Sequence, residues 1–261
     1  MIQRLVAPNP GPMTGSGTNT YLVDNGAGEL AVIDPGPDDP RHVQAILDAC
    51  APLGRVSAIL VTHRHADHLP AARPLSARTG APLLGHRDLP GVQVPVGEGE
   101  VCFSGPAVTL QALETPGHTD DSLCFWDASQ GALFTGDLVA GAGTVIVGDE
   151  RGALGRYMRS LERLRQLGPR TIYPGHGPLV SDAIGKLDEY LAHRRQREQQ
   201  VLAGVRGRSG VSVDELVRAI YPDVLPALVP MAARNVRAHL EKLTAEGQVV
   251  ETSAGWTCQN E

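Results

Sequence analysis

One short segment concentrates residues that bind metal ions. His63, His65, Asp67 and His68 fall within six residues, directly after the apolar run 58–62. Imidazole nitrogens and carboxylate oxygens suit zinc and related divalent ions. Because the apolar run predicts a β-strand, these side chains should project from the carboxyl edge of a sheet, where open α/β folds place their ligands. The segment therefore predicts a metal site.

Three further segments repeat the arrangement of a strand end followed by a metal-type ligand. His118 lies in a tight turn after a strand predicted to end near Glu114, and Asp137 follows another strand that ends at Thr135. His176 follows a third strand in the same way. Surface histidines would explain a single cluster. Four separate strand ends that each deliver a ligand favour a metal site, because loops at strand ends are where functional sites collect.

The composition narrows the class of protein. The chain has 261 residues, of which 42% are hydrophobic and 20% are charged, and a net charge of −6. These values are ordinary for a globular protein, and the acidic balance argues against coating nucleic acid through bulk electrostatics. No apolar run reaches the roughly 18 residues of a membrane span, and the N-terminus lacks a signal-peptide pattern. We therefore expect a cytoplasmic protein with no membrane partner.

The cysteines are typical of reduced, buried thiols. They are scattered without a Cys-x-x-Cys pair, which argues against both a disulfide framework and a cysteine zinc site. The four positions are Cys50, Cys102, Cys124 and Cys258.

The elements that must position the ligands alternate along the first two thirds of the chain. Short β-branched runs predict strands, and glycine and proline punctuate the turns between them. Asp39-Pro40 predicts the cap and first residue of a helix that runs to about Cys50, and a second helix is expected over 153–167. This alternation predicts an α/β layered domain. The predicted strands are 20–23, 30–33, 58–62, 122–126 and 132–135.

The last third has a different character. A long polar helix is predicted from Ser181 to about Val205. Ser212 and Glu215 then have the spacing of a capping box. A further helix from about Pro230 ends at Gly247 and is followed by a predicted β-hairpin. Two helices and a hairpin resemble a winged-helix module.

This organisation predicts two domains, a hydrolase domain over 1–205 and the winged-helix-like module over 206–261. The module holds six basic and seven acidic side chains, a balance of −1. A DNA-reading module normally has a basic face. We therefore expect no double-stranded DNA partner and favour a packing or substrate-shaping role for the module.

The ligand motifs, taken in order and preceded by Asp34 in the segment 32–36, resemble the metallo-beta-lactamase superfamily. The resemblance implies an αββα sandwich of the α/β class with the site at one edge, between two sheets. It implies a first metal held by His63, His65 and His118. It implies a second metal held by Asp67, His68 and His176. Asp137 would bridge the two metals, and Asp34 would orient the loop that bears the histidines.

A second resemblance, to the beta-lactamase-like protein 2 family, covers nearly the whole chain. It rests on four segments, which are 9–13, 17–22, 193–200 and 232–240. Leu69-Pro70-Ala71-Ala72 departs from the superfamily, in which glycines often follow the last histidine of the motif. The departure removes no ligand but puts the shape of the pocket floor, and so the substrate, in doubt.

The resemblance implies a hydrolase with two divalent ions. Zinc is the first choice, with manganese and iron as alternatives. Two such ions about 3.5–4 Å apart share a water and generate hydroxide near neutral pH, which would be the nucleophile. Asp67 would be catalytic, both holding a metal and orienting the hydroxide.

The substrate remains open between two classes, with a non-enzymatic metal-binding scaffold as a minor alternative. The resemblance favours single-stranded RNA, which His193, Arg194, Arg195 and Arg197 on the long helix would contact. The same residues also fit an ordinary solvated helix face, and aromatic residues for base stacking make up only 4% of the chain. The other class is a small thioester, ester or lactone. Asn19 would either donate to a substrate oxygen or serve turn chemistry. The oligomeric state is open, with a homodimer among the alternatives.

Overall fold

In the computed structural model, which describes residues 1–148 and 150–259, two β-sheets pack face to face between layers of helices. The first sheet has its strands in chain order. They are β1 (Ile2–Val6), β2 (Asn19–Asp24), β3 (Glu29–Ile33), β4 (Arg55–Leu60), β5 (Leu83–Gly85) and β6 (Val94–Pro95). The second sheet has the order 11-10-9-8-7. Its strands are β7 (Val101–Gly105), β8 (Val108–Glu114), β9 (Leu123–Asp127), β10 (Ala132–Gly136) and β11 (Thr171–Pro174).

The core lies between the two sheets. Tyr21, Ile33 and Leu60 of the first sheet are buried in one cluster with Phe125 and Phe134 of the second. Strands β9 and β10 are buried along their whole length, which explains why they appear in the sequence as continuous apolar runs rather than alternating ones. The αββα sandwich implied by the resemblance is confirmed, as are the five strands predicted from the sequence.

Helices cover the outer face of each sheet. The first sheet is covered by α1 (Pro40–Cys50) and α2 (Ala72–Thr79), and the second by α3 (Ala153–Gln166) and α4 (Ala183–Val205). Helix α1 begins as predicted, with the Asp39 side chain accepting a hydrogen bond from the Arg41 backbone N–H. The sequence analysis did not predict α2. Pro74 lies in the first turn of the helix, where its missing N–H has no intrahelical partner to lose.

The C-terminal residues form the predicted winged helix. Its helices are α5 (Val213–Ile220) and α6 (Val229–Ala245), joined by a short 3-10 turn over Pro226–Leu228 and followed by the hairpin strands β12 (Val249–Thr252) and β13 (Gly255–Cys258). The capping box of Ser212 and Glu215 is present. Val201 and Val205 of α4 lie in the same hydrophobic cluster as Leu240 of α6. The module therefore packs directly on α4, and the boundary between residues 205 and 206 stays a prediction.

Two expectations from composition have structural counterparts. Cys50, Cys102 and Cys124 are free thiols, and all three are buried. Burial raises the pKa of the Cys102 thiol to about 12, so this thiol stays protonated. In the described part of the chain, no helix is long and apolar enough to cross a lipid bilayer.

Candidate metal centre

The predicted ligands meet where strand ends from both sheets come together. Strand β9 pairs antiparallel with both β8 and β10, and β11 pairs parallel with β10. Strands β8, β10 and β11 therefore run in the same direction and end at the same edge. The backbone N–H of Leu123 donates to the carbonyl of Thr62, which joins the loop after β4 to this edge at 2.8 Å.

All seven residues predicted as metal ligands lie in two adjoining groups. In each group the ligand atoms lie within 4.8 Å of one another. Asp137 is the residue that the two groups share, the position expected of a bridging ligand. The first group is His63, His65, His118 and Asp137, and the second is Asp67, His68, Asp137 and His176.

The first group has the spacing of a zinc site. His65 Nδ1 lies 3.0 Å from His63 Nε2 and 3.0 Å from His118 Nε2. Ligand nitrogens at about 2.0–2.1 Å from a tetrahedral zinc ion lie about 3.3 Å from one another. The three rings therefore converge on a space of the right size. Asp137 Oδ2 lies on the same side, 3.7 Å from His118 Nε2.

The second group is built around the other oxygen of the shared carboxylate. Asp137 Oδ1 lies 3.3 Å from His68 Nε2 and 3.3 Å from His176 Nε2. Asp67 Oδ2 lies 3.0 Å from His176 Nε2. Because Oδ1 and Oδ2 of Asp137 face different groups, the side chain has the geometry of a bridging ligand.

Hydrogen bonds to the outer ring nitrogens fix which nitrogen of each histidine is available. His118 Nδ1 donates to the carbonyl of Ile146 at 2.8 Å. His68 Nδ1 donates to Asp34 Oδ2 at 2.9 Å. A ring that donates from Nδ1 leaves a lone pair on Nε2, and Nε2 is the atom that points into the group.

Asp34 orients a second ligand through Thr62. It accepts from the Thr62 backbone N–H at 2.8 Å and from the Thr62 hydroxyl at 2.7 Å. Since that hydroxyl donates to Asp34, it accepts from His63 Nδ1 at 3.0 Å, which leaves His63 Nε2 as the inward lone pair. Asp34 is buried and has a positive φ of 49°. It lies where the resemblance places the residue that orients the histidine loop.

The electrostatics of the two groups suit bound cations. Burial holds the pKa of His63 well below its usual value, so this ring is neutral and able to ligate. Burial alone would raise the pKa of Asp137, but the neighbouring His68 and His176 hold it well below its usual range. Burial lowers the pKa of His176, while the neighbouring carboxylates of Asp137 and Asp67 outweigh this effect and raise it to about 9. The carboxylates therefore favour positive charge at this position.

The space in front of the shared carboxylate is kept open. Asp137 Oδ1 is buried with no hydrogen-bond partner. A Cβ atom on Gly175 would lie 2.5 Å from that oxygen and 2.7 Å from His68 Cε1, so any larger residue would enter the second group. A buried carboxylate oxygen without a partner is costly unless a cation satisfies it. The donor set, the spacing and this open cradle all fit two divalent ions.

Of the residues predicted to contact substrate, Arg194 lines the cavity and Asn19 does not. Asn19 is 1% exposed and donates to the carbonyls of Pro174 and Gly177, each at 2.9 Å. Asn19 is the first residue of β2 and therefore holds the distant turn that bears His176, a contact that differs from the local turn chemistry considered for it. Arg194 is buried but lines a cavity beside the metal groups.

The other three residues of the long helix are occupied elsewhere. Arg195 forms an ion pair with Glu162 at 2.8 Å, and Arg197 packs over the ring of Tyr221 at 4.1 Å. His193 is half-buried, and none of the three lines the cavity. Helix α4 therefore has no continuous phosphate-binding face in the described structure, because Arg195 and Arg197 are engaged in contacts within the protein.

The sequence analysis missed most of the cavity. The cavity has a volume of about 580 Å³, and its walls come from the N-terminal loop around Met13, the loop 140–148 and helix α6. Met231, Arg234 and Asn235 of α6 line it beside the metal ligands His118 and His176. The one sequence signal was the segment 232–240, which resembles the winged helix of the family, but nothing in it indicates that α6 faces the metals.

Leu69-Pro70-Ala71-Ala72, which departs from the superfamily pattern, does not shape the metal cavity. Leu69 and Pro70 line a separate groove beside α2. The backbone N–H of Ala71 donates to the carbonyl of Gly36 at 3.0 Å, and Gly36 N–H donates to that of His68 at 3.0 Å. These bonds hold the last residue of the histidine motif in place without glycines after it.

Two models of known protein families match this chain, and together they cover the sandwich, the metal groups and the winged-helix module. The model of the metallo-beta-lactamase superfamily matches residues 13–176, and that of the beta-lactamase associated winged helix domain matches residues 212–256. The chain belongs to the metallo-beta-lactamase superfamily, whose members are in general metal-dependent hydrolases.

Individual related proteins are similar to this chain over most of its length. Proteins called beta-lactamase-like protein 2 homolog are 31% identical in Caenorhabditis elegans and 33% identical in Drosophila melanogaster. The matches cover 95% and 94% of this chain and 85% and 88% of those proteins. A lactamase-like protein from Aspergillus fumigatus is 35% identical over 94% of this chain and 78% of its own length.

Solved structures share the architecture. A metallo-beta-lactamase family protein from Thermus thermophilus superposes with a TM-score of 0.79 at 25% identity, over 98% of both chains. A further structure, described as a di-iron-bound form, has a TM-score of 0.56 at 29% identity and covers 70% of this chain and 96% of its own.

The first prediction concerns metal content. Purified protein should carry close to two divalent ions per chain, because seven ligands divide into two groups that share Asp137. Elemental analysis after dialysis against trace zinc measures this directly. The Asp137→Ala variant serves as the internal comparison and should lose at least one ion. A wild-type protein that holds no more than one ion after zinc addition contradicts a dinuclear site.

Proposed function

We propose that this protein hydrolyses an ester or thioester bond of a small molecule with two divalent ions, zinc being the first choice. The observation that carries the proposal is that the metal groups open into a largely apolar cavity of about 580 Å³, walled partly by the winged-helix module. Cavities of a few hundred Å³ lined by apolar side chains with a few polar groups are typical of small-molecule sites. Iron is the alternative metal, as found in the di-iron relative.

The ions would polarise the scissile carbonyl and lower the pKa of the attacking water. The protein's own groups orient the reactants. The Asp67 side chain is 28% exposed and lines a smaller cavity of about 460 Å³, which shares His118, Asp137 and His176 with the larger one. Its carboxylate can therefore accept a hydrogen bond from that water and direct its lone pair at the carbonyl carbon. Asp34, Thr62 and the carbonyl of Ile146 lock the histidine rings, which keeps the geometry fixed during the reaction.

The cavity wall favours an acyl group over a nucleotide base. Val145, Val147 and Leu154 line it on one side, and Met231 and Ala238 of α6 line it on the other. Among the described residues, no Phe, Tyr or Trp side chain lines the cavity. Proteins that bind single-stranded nucleic acid stack bases on such side chains. An aliphatic acyl chain, in contrast, is stabilised by burial at about 25 cal/mol per Å² of apolar surface.

Single-stranded RNA is supported by the family resemblance alone. Two of the three arginines expected to track phosphates are engaged within the protein: Arg195 with Glu162, and Arg197 with Tyr221. A non-enzymatic scaffold is disfavoured because every ligand of both metal groups is present and correctly placed.

A paired assay tests the proposal. Zinc-loaded protein should hydrolyse acyl thioesters of four to eight carbons. Hydrolysis should stop when the metal is removed with a chelator and resume when zinc is added back, since the ions would polarise the carbonyl. The same preparation should leave single-stranded RNA oligomers intact with zinc or with manganese. Thiol release and gel electrophoresis are the measurements. Cleavage of RNA without thioester or ester turnover would reverse the assignment.

A further inference from the structure

Arg194 is a buried cation in the wall of the active-site cavity. The residue lies on α4, is 3% exposed and lines the cavity together with His118 and Asp137. Its Nη2 donates to the carbonyl of Val145 at 2.6 Å, and its guanidinium lies over the ring of Tyr157 at 5.3 Å. The packing therefore holds the charge in one position at the cavity.

No carboxylate among the described residues pairs with this charge. Within the described ranges 1–148 and 150–259, Arg194 has no ion-pair partner, whereas its sequence neighbour Arg195 is paired with Glu162. The titratable groups near Arg194 include Tyr157, Tyr190 and His239. Burial raises the pKa of Tyr190 to about 12 and lowers that of His239, so both are neutral near pH 7. Burial likewise raises the pKa of Tyr157. A buried charge without an opposite partner is strongly destabilising.

The guanidinium has more N–H donors than the hydrogen bonds that the structure shows for it. It carries five N–H groups in a planar fork, and the structure shows one of them donating to Val145. The side chain lines the cavity, so the remaining donors are where a ligand would meet them. A planar fork of this kind binds carboxylate or phosphate oxygens in pairs.

We propose that Arg194 is the anchor for an anionic group of the substrate, at a distance from the scissile bond. The substrate would then be an acyl ester or thioester that carries a carboxylate or phosphate beyond an apolar stem. Val145 and Ala238 would contact the stem while the metal groups meet the reacting carbonyl. The position of the scissile bond rests on the proposed function, but the anion site itself does not.

Binding of product analogues tests the anion site without turnover. Calorimetry on zinc-loaded protein would compare hexanoate with adipate and with 6-phosphohexanoate, since every one of these ligands has one carboxylate for the metals. Adipate or 6-phosphohexanoate should bind about 10- to 100-fold more tightly than hexanoate, the range for a hydrogen bond to a charged group. Whichever of the two gains more identifies the anion as carboxylate or phosphate.

Variants assign the gain to Arg194. Arg194→Met should abolish the preference for the doubly charged ligand and leave hexanoate binding within about threefold, because only the far anion loses its partner. Arg194→Lys should keep part of the preference, since it retains the charge without the fork. Arg195→Met, on the exposed face of the same helix, is the matched control and should retain the full preference.

The outcomes separate a binding role from a structural one. If Arg194 only holds the loop at Val145, Arg194→Met will weaken all three ligands equally and lower the melting temperature. Equal binding of all three ligands by the wild type overturns the anion site. If the preference is present but no thioester or ester is cleaved, the anion site stands and the proposed function fails. Single-stranded RNA cleavage that depends on both Arg194 and Arg195 would instead point to a nucleic-acid phosphate and overturn a small-molecule anchor.

Discussion

Asp67→Ala should reduce kcat by at least about 100-fold, the lower end of what a positioned acid–base group contributes. The substitution removes one ligand of the second group and a carboxylate that lines the smaller cavity of about 460 Å³. It leaves the sandwich core untouched, because Asp67 packs in none of the hydrophobic clusters. His118→Ala should have a similar effect by removing a ligand from the first group. Steady-state kinetics with excess zinc is the measurement.

Matched controls separate loss of chemistry from loss of fold. Asp88→Ala and His86→Ala replace the same residue types in an ion pair outside both metal groups, and should keep activity within about twofold, as is usual for surface changes. Metal-free wild type and variants should melt within a few degrees of each other. An Asp67→Ala protein that keeps more than about a tenth of wild-type turnover would show that Asp67 does not direct the nucleophile.

Asp34→Asn should weaken metal binding while the fold survives, directly at the second group through His68 and also at the first group through Thr62, whose hydroxyl donates to the same oxygen of Asp34. An asparagine Nδ2 in place of Asp34 Oδ2 donates where the carboxylate accepted, so His68 must accept at Nδ1 and carry its proton on Nε2. Nε2 is the atom that faces Asp137 and His176, and a protonated nitrogen cannot ligate. Metal affinity should fall about 10- to 100-fold at this group, as is typical when the partner of a ligand is changed.

The Asp34→Asn variant is expected to fold, because asparagine tolerates the positive φ of 49° at this position. Elemental analysis should return fewer than two tightly held ions per chain where the wild type holds two, and hydrolysis should fall in parallel. Asp127→Asn is the control. It alters a buried aspartate that accepts hydrogen bonds from Ser129, away from the site, and should keep both ions. Two tightly held ions in Asp34→Asn would contradict the orienting role of this carboxylate.

Local sequence patterns specify the elements and the ligand set. Asp39-Pro40, the Ser212–Glu215 capping box and the apolar runs of β9 and β10 act over a few residues, and each formed where it was predicted. The ligands could be found for the same reason. Each one follows a strand directly, and strands that run in the same direction bring their ends to one edge of a sheet.

Contacts between distant segments determine what surrounds the metals. Arg194 and Arg195 are adjacent in the sequence and chemically identical, yet one is buried in the cavity wall and the other is paired with Glu162 on the surface. Helix α6 borders the metal groups because α4 packs against it from a remote part of the chain. Burial, ion pairing and the shape of a cavity all depend on which segments meet in the folded chain, and a local sequence pattern carries no information about that.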